Sequence, residues 1–343
     1  MRSVVLLLVA STFLVNAGEL VFLKGLACAV PGRVERRAAF PVDEVAKMVV
    51  AGKWTPPTAG QALVPGDTDR TWQTATAAAD GTFTTRERGA EYIDCQMESD
   101  AEQVWLLSAA GQEIVYVNGE PRPGDPYSNG ILELPVRLQR GANDFLFRVN
   151  RGRLKAKLTL PRKPITIYLG DTTLPDIVRG EKENQWGAVV IVNCTTNLLK
   201  GLTLQATVDG HGELASKLPS VPPLSVRKAG FLFQPRWNEH TNQAVLNLKL
   251  TGPRHEPLDT ATLKVPRRLP TEHYQQTFLS DIDGSVQYYA VAPAQPSPAD
   301  PPPAGALSVA PRGRSGSQRT SRSLPLQNLG HRGGADKSPL LWI

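Results

Sequence analysis

The sequence predicts a mainly β protein with two antiparallel β-sandwich modules, a short N-terminal helix and a disordered C-terminal tail. Glycine and proline each occur 29 times among 343 residues, and such a composition favours short strands and turns over long helices. Short apolar or alternating runs recur along the chain, each bounded by glycine, proline, asparagine or aspartate. The length is sufficient for two or three domains, each with its own core.

The first predicted module spans residues 54–161. Its strand-like runs include VWLLSA, EIVYVNGE and NDFLFRV. Asn118-Gly119 directly follows a β-rich run, and this dipeptide is the strongest signal for a two-residue hairpin because both positions accept positive φ. Gly141 and Asn143 lie in a second turn of this kind. Closely spaced hairpins predict an antiparallel sandwich.

Two segments of this module, VYVNGEPRPGDPYSNG and LPVRLQRGANDFLFRV, resemble the galactose-binding-type jelly roll, an accessory module of secreted glycosidases and peptidases. The matching parts are the hairpin at residues 117–120 and the turn at residues 138–143. The resemblance implies that the first module is a jelly roll. It also implies that Asn118, Gly119, Gly141 and Asn143 shape turns and carry no chemistry.

A basic stretch follows the second turn. Its cationic residues fall largely on alternate positions, which predicts the solvent-facing side of an edge strand, because charged edges deter the addition of further strands. A polyanion site is the alternative, although no aromatic residues interleave with these charges. The residues are Arg148, Arg151, Arg153, Lys155 and Lys157.

Residues 164–268 form the second predicted module. Its strand-like runs come at intervals of ten to twenty-five residues, and this length and pattern favour an immunoglobulin- or fibronectin-like sandwich. A continuation of the first sandwich is the alternative. Asn193-Cys194-Thr195 matches a glycosylation sequon, a pattern short enough to arise by chance.

The N-terminus has the layout of a secretory signal peptide over residues 1–17, with Arg2 before an apolar run and a small-residue exit at Ala17. A second apolar patch follows, so cleavage as late as residue 29 is an alternative. An uncleaved membrane anchor is another, but Glu19 and Lys24 interrupt the run of about 20 apolar residues that a span needs. We therefore expect an exported protein, periplasmic or extracellular, without a stable membrane span.

Residues 36–53 contain a predicted short amphipathic helix. Val42, Val45 and Val49 recur at helical spacing, Asp43 stands in the first turn, and Gly52 is a C-terminal stop. We expect this helix to pack on the module that follows it.

The positive charge is concentrated at the C-terminus. The chain carries +6, of which residues 308–343 contribute +5, from six cationic residues and one acidic residue. The body is therefore almost neutral, and we expect no nucleic-acid partner. The tail cations are Arg312, Arg314, Arg319, Arg322, Arg332 and Lys337.

The sequence contains no recognisable catalytic or metal-binding motif, and we expect no cofactor. No cysteine–histidine spacing resembles a metal site, and the five histidines stand singly. Cys95 and Cys194 lie in different predicted modules, so we expect two separate buried thiols, with a disulfide as the alternative. The G-x-S-x-G pentapeptide of many serine hydrolases is absent. A glycosidase pair of carboxylates distant in the chain stays open as an alternative.

Residues 271–296 include TFLSDIDGSVQYYAVAPAQP, which resembles the opening strand of the α/β-hydrolase domain in large secreted bacterial prolyl-oligopeptidase-like peptidases or esterases. In that family a jelly roll and an immunoglobulin-like module precede the catalytic domain. The next element should be a strand ending in an oxyanion-loop motif, but residues 297–343 are rich in arginine, serine and glycine. We expect a disordered tail or one translated out of frame, with the catalytic triad absent from this chain.

These observations predict a non-catalytic accessory region of a secreted α/β-hydrolase, used for domain docking or for contact with carbohydrate or another polymer. In a full-length relative, the catalytic domain itself is an implied partner. A stand-alone carbohydrate-binding protein and a polyanion binder using the basic tail are alternatives. The candidate sugar platform consists of aromatic residues, although aromatics in sandwiches more often belong to the core. They are Trp54, Trp72, Tyr92 and Tyr127.

Overall fold

A computed structural model of the chain describes residues 13–16, 18–30, 43–85 and 90–293. The predicted tail (297–343), most of the predicted signal peptide and residues 36–42 of the predicted helix lie outside this range. Antiparallel sheets dominate the described residues, which contain one helix. That helix is too short to cross a membrane.

The first sandwich consists of two sheets. One contains β1 (Phe13–Asn16), β2 (Glu19–Phe22), β5 (Thr82–Thr84), β7 (Gln103–Ala110), β10 (Glu133–Leu138) and β12 (Arg153–Thr159). The other contains β3 (Lys24–Ala29), β4 (Gln73–Thr76), β6 (Glu91–Ser99), β8 (Gln112–Val117), β9 (Glu120–Pro123) and β11 (Gly141–Val149). We call them the joint sheet and the cleft sheet, respectively. Apart from the β8–β9 hairpin, consecutive strands from β5 to β12 alternate between the two sheets, as in a jelly roll.

The main core of this sandwich lies between the two sheets. Strict alternation along the strands directs one set of side chains inward, among them the buried Ile93, Phe145 and Phe147. Phe22 joins them, with its ring centroid 5.1 Å from that of Phe145. Cys95 is buried in this core as a free thiol.

A second, smaller core covers the opposite face of the cleft sheet. Helix α1 (Glu44–Val50) and the segment that follows it lie across this face. Val45 and Val49 from the helix, together with Trp72, pack against Tyr92 and Leu146 of the sheet. Packing of the helix on the adjacent module agrees with the sequence-based expectation, although the described helix is shorter than the predicted segment.

Two features of the first sandwich differ from the sequence-based expectations. Residues 19–29, part of the apolar region at the N-terminus, form β2 and β3, and β3 lies between β4 and β6 inside the cleft sheet. The basic strand β12 is not an edge strand, because it pairs with β7 on one side and with β2 and β5 on the other. Edge position depends on distant pairing partners, and charge alternation along one strand does not reveal them.

The second sandwich also has two sheets. One contains β13 (Ile165–Thr173), β15 (Gln185–Asn193) and β18 (Ser225–Phe233). The other contains β14 (Ile177–Val178), β16 (Thr203–Val208), β17 (His211–Lys217), β19 (Gln243–Thr251) and β20 (Pro257–Arg268). Its core is separate from that of the first sandwich and includes Phe231, Phe233 and Leu246. The chain therefore forms two sandwiches with separate cores.

A small apolar cluster joins the two sandwiches. Leu106, on the outward side of the joint sheet, packs with Val190, Val192 and Cys194 from β15 and the residues after it. Cys194 is a free thiol in this cluster, so it does not form a disulfide with Cys95.

The last described element is a hairpin formed by β21 (Tyr274–Leu279) and β22 (Val286–Val291). It packs on the second sandwich, mainly through polar side chains. The Thr277 hydroxyl donates to the Trp186 carbonyl at 2.5 Å, and the Gln275 backbone N–H donates to the Asp176 carboxylate at 2.8 Å. The strand predicted to open a further domain is thus paired and packed within the described residues.

Asn193, in the predicted glycosylation sequon, is completely buried at the end of β15. Its Nδ2 donates to the carbonyls of Asn197, Val221 and Pro222, and its Oδ1 accepts from the Thr195 backbone N–H at 2.9 Å. The folded protein therefore does not present this side chain as a glycan acceptor.

We expect Asn193→Ala to lower the free energy of unfolding by about 2–3 kcal/mol, because buried carbonyls lose their donor. Urea unfolding followed by circular dichroism measures this change. Thr196→Ala is the control, since Thr196 is exposed in the same loop and should change stability by less than about 0.5 kcal/mol. An equal loss in both variants would contradict the structural role of Asn193.

Candidate functional site

A cleft of about 720 Å³ opens on the outer face of the cleft sheet. The C-terminal end of α1, the segment after it, strand β6 and two turns surround this cleft. The residues that line it are Val49, Gly52, Trp54, Pro56, Gln96, Met97, Glu98, Asn118, Gly119, Gln139, Ala142, Asn143 and Asp144.

The wall nearest the helix depends on how α1 ends. Gly52 follows the helix with φ +65°, and the backbone N–H of Lys53 donates to the carbonyl of Met48, so the chain reverses direction there. This reversal brings Trp54 back over the sheet. Its indole Nε1 donates to Asp144 Oδ2 at 2.8 Å, and its ring meets the buried Trp72 edge to face at 5.9 Å. The indole is therefore held in place from two sides.

The opposite wall consists of the two predicted turns. Asn118 and Gly119 occupy the central positions of the β8–β9 hairpin with φ values of 51° and 82°. In the turn before β11, Asn143 Oδ1 accepts from the Gln139 backbone N–H at 2.8 Å, and Gly141 has φ +92°. Each asparagine stabilises a turn that lines the cleft.

The two asparagines also connect the turns to each other. Asn118 Nδ2 donates to Asn143 Oδ1 at 2.9 Å, and Asn118 Oδ1 accepts from the backbone N–H of Asp144 at the same distance. Asn143 is almost fully buried, so its hydrogen bonds are shielded from water. This wall is a hydrogen-bonded unit that holds Asp144 beneath Trp54.

A pair of buried carboxyl groups lies below the indole. Asp94 on β6 and Asp144 on β11 are 1% and 5% exposed, and Oδ1 of each has no hydrogen-bond partner among the described residues. Burial, and then the hydrogen bond and charge of Asp144, raise the pKa of Asp94 to about 9. The raised pKa keeps Asp94 protonated at neutral pH, and its hydroxyl group is a donor for the neighbouring Asp144.

A second polar network fixes the other end of the helix. Asp43 Oδ1 accepts from the Ala46 backbone N–H and caps α1, while Oδ2 accepts from the Tyr92 hydroxyl and from Arg148 Nε, both at 2.9 Å. Arg148 also forms an ion pair with Glu113. This arginine belongs to the predicted basic stretch, but its charge is neutralised by two carboxylates of the protein.

The structure separates the four aromatic residues of the predicted sugar platform. Trp54 lines the cleft, whereas Trp72 and Tyr92 are buried beneath α1 and its following segment, so a ligand does not reach their rings. Tyr127 is 69% exposed and lies outside the cleft lining, with the guanidinium carbon of Arg151 4.5 Å from its ring centroid. The surface that all four would share is therefore not present.

The sequence-based reasoning overlooked the polar residues of the cleft. Gln96, Glu98 and Asp144 line it, and Asp94 lies beneath it. A signal was present, because EYIDCQMES places Asp94, Gln96 and Glu98 on one face of a strand whose other face is apolar. Polar residues on alternate positions are typical of a solvated face, yet Asp94 is buried.

No protein-family model matches this sequence, and no curated protein matches it. Among solved structures, the chain is similar to the exo-chitosanase CsxA of Amycolatopsis orientalis, with 12% identity, 79% of this chain and 35% of that chain covered, and a TM-score of 0.30. It is also similar to a β-glucuronidase of Lactobacillus rhamnosus, with 12% identity, 80% of this chain and 48% of that chain covered, and a TM-score of 0.27. A third similar structure is a β-D-mannosidase of Dictyoglomus thermophilum, with 12% identity, 80% of this chain and 38% of that chain covered, and a TM-score of 0.29. The chain thus spans between about a third and a half of the length of these proteins.

The acid pair predicts a specific pH dependence of stability. Between the ordinary pKa of 3.8 and the raised value of about 9, the folded protein keeps the Asp94 proton and the unfolded chain has lost it. The pair's contribution to stability is therefore complete below about pH 4 and is lost as the pH rises towards 9, by at most about 1.4 kcal/mol per pH unit.

We expect Asp94→Asn to remove this component, because the carboxamide donates to Asp144 without a titrating proton. Urea unfolding at about pH 5, 7 and 8.5 should show stability falling less steeply with pH in the variant than in the parent protein. Asp100→Asn, a change at an exposed carboxylate of the turn after β6, is the control. Parallel slopes for Asp94→Asn and the parent protein would contradict the retained proton of Asp94.

Proposed function

We propose that the cleft binds carbohydrate and that the chain acts as a non-catalytic binding and accessory region. One observation carries this proposal: the indole of Trp54 is fixed in a cleft of about 720 Å³ whose other lining residues are rich in amides and carboxylates. Ligand sites for small molecules commonly occupy about 300–1,000 Å³ and combine an apolar surface with a few polar groups.

The chemistry of this lining matches the chemistry of a sugar. A pyranose ring has apolar C–H faces, which pack on an aromatic ring, and a rim of hydroxyl groups, which need donors and acceptors. Gln139 is exposed within the lining and offers both. Gln96 uses its amide nitrogen on Asp94 and on the Pro57 carbonyl, so it offers an acceptor, as does Glu98. Trp54 is positioned before any ligand arrives, which lowers the entropy cost of binding.

We further propose that this binding region belongs to a secreted α/β-hydrolase of the prolyl-oligopeptidase-like type. The support is the sequence resemblance of the β21–β22 region and of the turns at residues 117–120 and 138–143. One of the sequence-based alternatives, a stand-alone carbohydrate-binding protein, would use the same cleft without a hydrolase domain in the same protein. Sequencing the gene beyond residue 307 separates them, since a shifted downstream frame encoding G-x-S-x-G supports the hydrolase and its absence contradicts it.

We expect Trp54→Ala to reduce saccharide binding to the protein by at least about tenfold, since stacking with a sugar face is lost. A glycan array followed by titration calorimetry on the best ligand measures the effect. Tyr127→Ala is the matched control, because Tyr127 is an exposed aromatic residue outside the cleft. The affinity of this variant for the same saccharide should equal that of the parent protein.

Loss of Trp54 also leaves Asp144 without a donor, so a reduced affinity could reflect altered packing. Gln139→Ala tests the cleft independently, since this exposed side chain makes no hydrogen bond to the described residues. We expect it to weaken binding by about threefold to tenfold with an unchanged melting temperature. Unchanged affinity in both Trp54→Ala and Gln139→Ala would overturn the assignment of the cleft.

We propose export with cleavage after Ala17, which yields a mature chain that starts at Gly18. Cleavage after Ala17 removes only β1, which lies at the edge of the joint sheet, whereas cleavage after Ala29 would also remove β2 and β3, which carry the buried Phe22 and Cys28. Mass spectrometry of the protein recovered from the periplasm or the medium should give an N-terminus at Gly18. A mature chain that begins at Val30, or retention of the protein in the cytoplasm, would contradict this proposal.

A further inference from the structure

We propose that the cleft selects saccharides that carry a positive charge, that is, sugars with a protonated amine. This inference rests on the proposed carbohydrate-binding function and adds the chemical class of the ligand. It follows from the charges of the lining, which are all of one sign.

The first charge is that of Glu98. Its side chain is exposed in the lining and makes no ion pair or hydrogen bond to the residues that the structure describes. Its carboxylate lies beside the turn before β11, with Oε2 3.9 Å from the position that a Cβ on Gly141 would take. Glu98 therefore offers an unpaired carboxylate at the edge of the cleft.

The second charge comes from the acid pair. Asp144 lines the cleft directly below Trp54, and its Oδ2 is held by the indole N–H. Asp144 is almost fully buried, its Oδ1 has no hydrogen-bond partner among the described residues, and no cation of the lining faces it. A charge in such a weakly screened position acts over a longer range than one on the open surface.

Among the residues that the structure describes, no positive side chain lines the cleft. None of the thirteen lining residues is a lysine, arginine or histidine. Lys53 and Arg140 are neighbours of lining residues in sequence, but both are exposed and do not line the cleft. Arg148, the cation of β11, is partly buried and is already paired with Asp43 and Glu113.

This charge distribution discriminates among sugars. A ligand ammonium group gains attraction to Glu98 and to the acid pair, and it also gains from the electron-rich face of Trp54. A sugar carboxylate would meet charges of its own sign, and a neutral sugar would gain only stacking and hydrogen bonds. A sugar with a protonated amine should therefore bind more tightly than a neutral sugar, because only the amine is attracted to the negative charges of the cleft.

Titration calorimetry with three oligosaccharides tests the inference: a β-linked glucosamine oligomer, its N-acetylated counterpart and a galacturonate oligomer. At about pH 5.5 the sugar amine is protonated. We expect the glucosamine oligomer to bind at least about fivefold more tightly than the N-acetylated one at low salt, with a smaller ratio at about 0.2 M salt. We expect the galacturonate oligomer to bind most weakly.

Glu98→Gln removes one charge and keeps the shape and the hydrogen-bonding capacity of the side chain. We expect it to reduce the ratio of the affinity for the glucosamine oligomer to that for the N-acetylated oligomer by about threefold. Glu183→Gln, at an exposed position of the second sandwich, is the control and should leave the preference unaltered.

The outcomes separate the two proposals. Binding of no saccharide overturns both the proposed function and this inference. Equal affinity for the amine and its N-acetylated form, or a preference that survives Glu98→Gln without salt dependence, overturns only the inference. Tighter binding of an oligolysine peptide than of any saccharide shows that the cleft recognises a basic peptide and overturns the selection of sugars.

Discussion

The geometry of the cleft depends on one carboxylate, that of Asp43. It begins α1 by capping the Ala46 N–H, and it binds the helix to the sheet by accepting from Tyr92 and Arg148. Because Asp43 is buried, an interaction with the sheet that would be weak on the surface is shielded from water here. The helix is thereby fixed at its start, and the chain that leaves its end reaches the second carboxylate contact, between Trp54 and Asp144.

These two contacts allow α1 and the segment after it to cover the outer face of the cleft sheet, although this face carries the carboxyl groups of Asp94 and Asp144. Covering Asp94 and Asp144 with apolar residues alone would leave buried polar groups without partners, at a cost of several kcal/mol. The covering segment instead contributes a donor, the indole N–H, to Asp144, while Gln96 donates to Asp94 at 2.6 Å. Asp94 keeps its proton at neutral pH, so its hydroxyl group is a donor for Asp144. The same groups that stabilise the cover also give the cleft its charge.

Much of the local structure could be predicted from the sequence, since its causes are local. Asn118-Gly119 accepts positive φ wherever it occurs, and alternation along a strand directs side chains to two faces. What covers each face depends on segments far away in the chain, and for this reason the sequence left open whether Trp72 and Tyr92 belong to a surface platform or to the core, where the structure places them. Residues 19–29 illustrate the same limit, because an apolar run suits an export signal and a buried strand equally well. The position of β12 within its sheet and the burial of Asn193 likewise depend on distant partners.

The two outward faces of the first sandwich differ in what they contact. The outward side of the joint sheet packs against the second sandwich through Leu106, whereas the cleft lies on the outward side of the other sheet. The second sandwich can therefore be held against the joint sheet while the Trp54 side of the cleft sheet stays open, with Arg122 of β9 as a further contact between the modules through the Leu224 carbonyl.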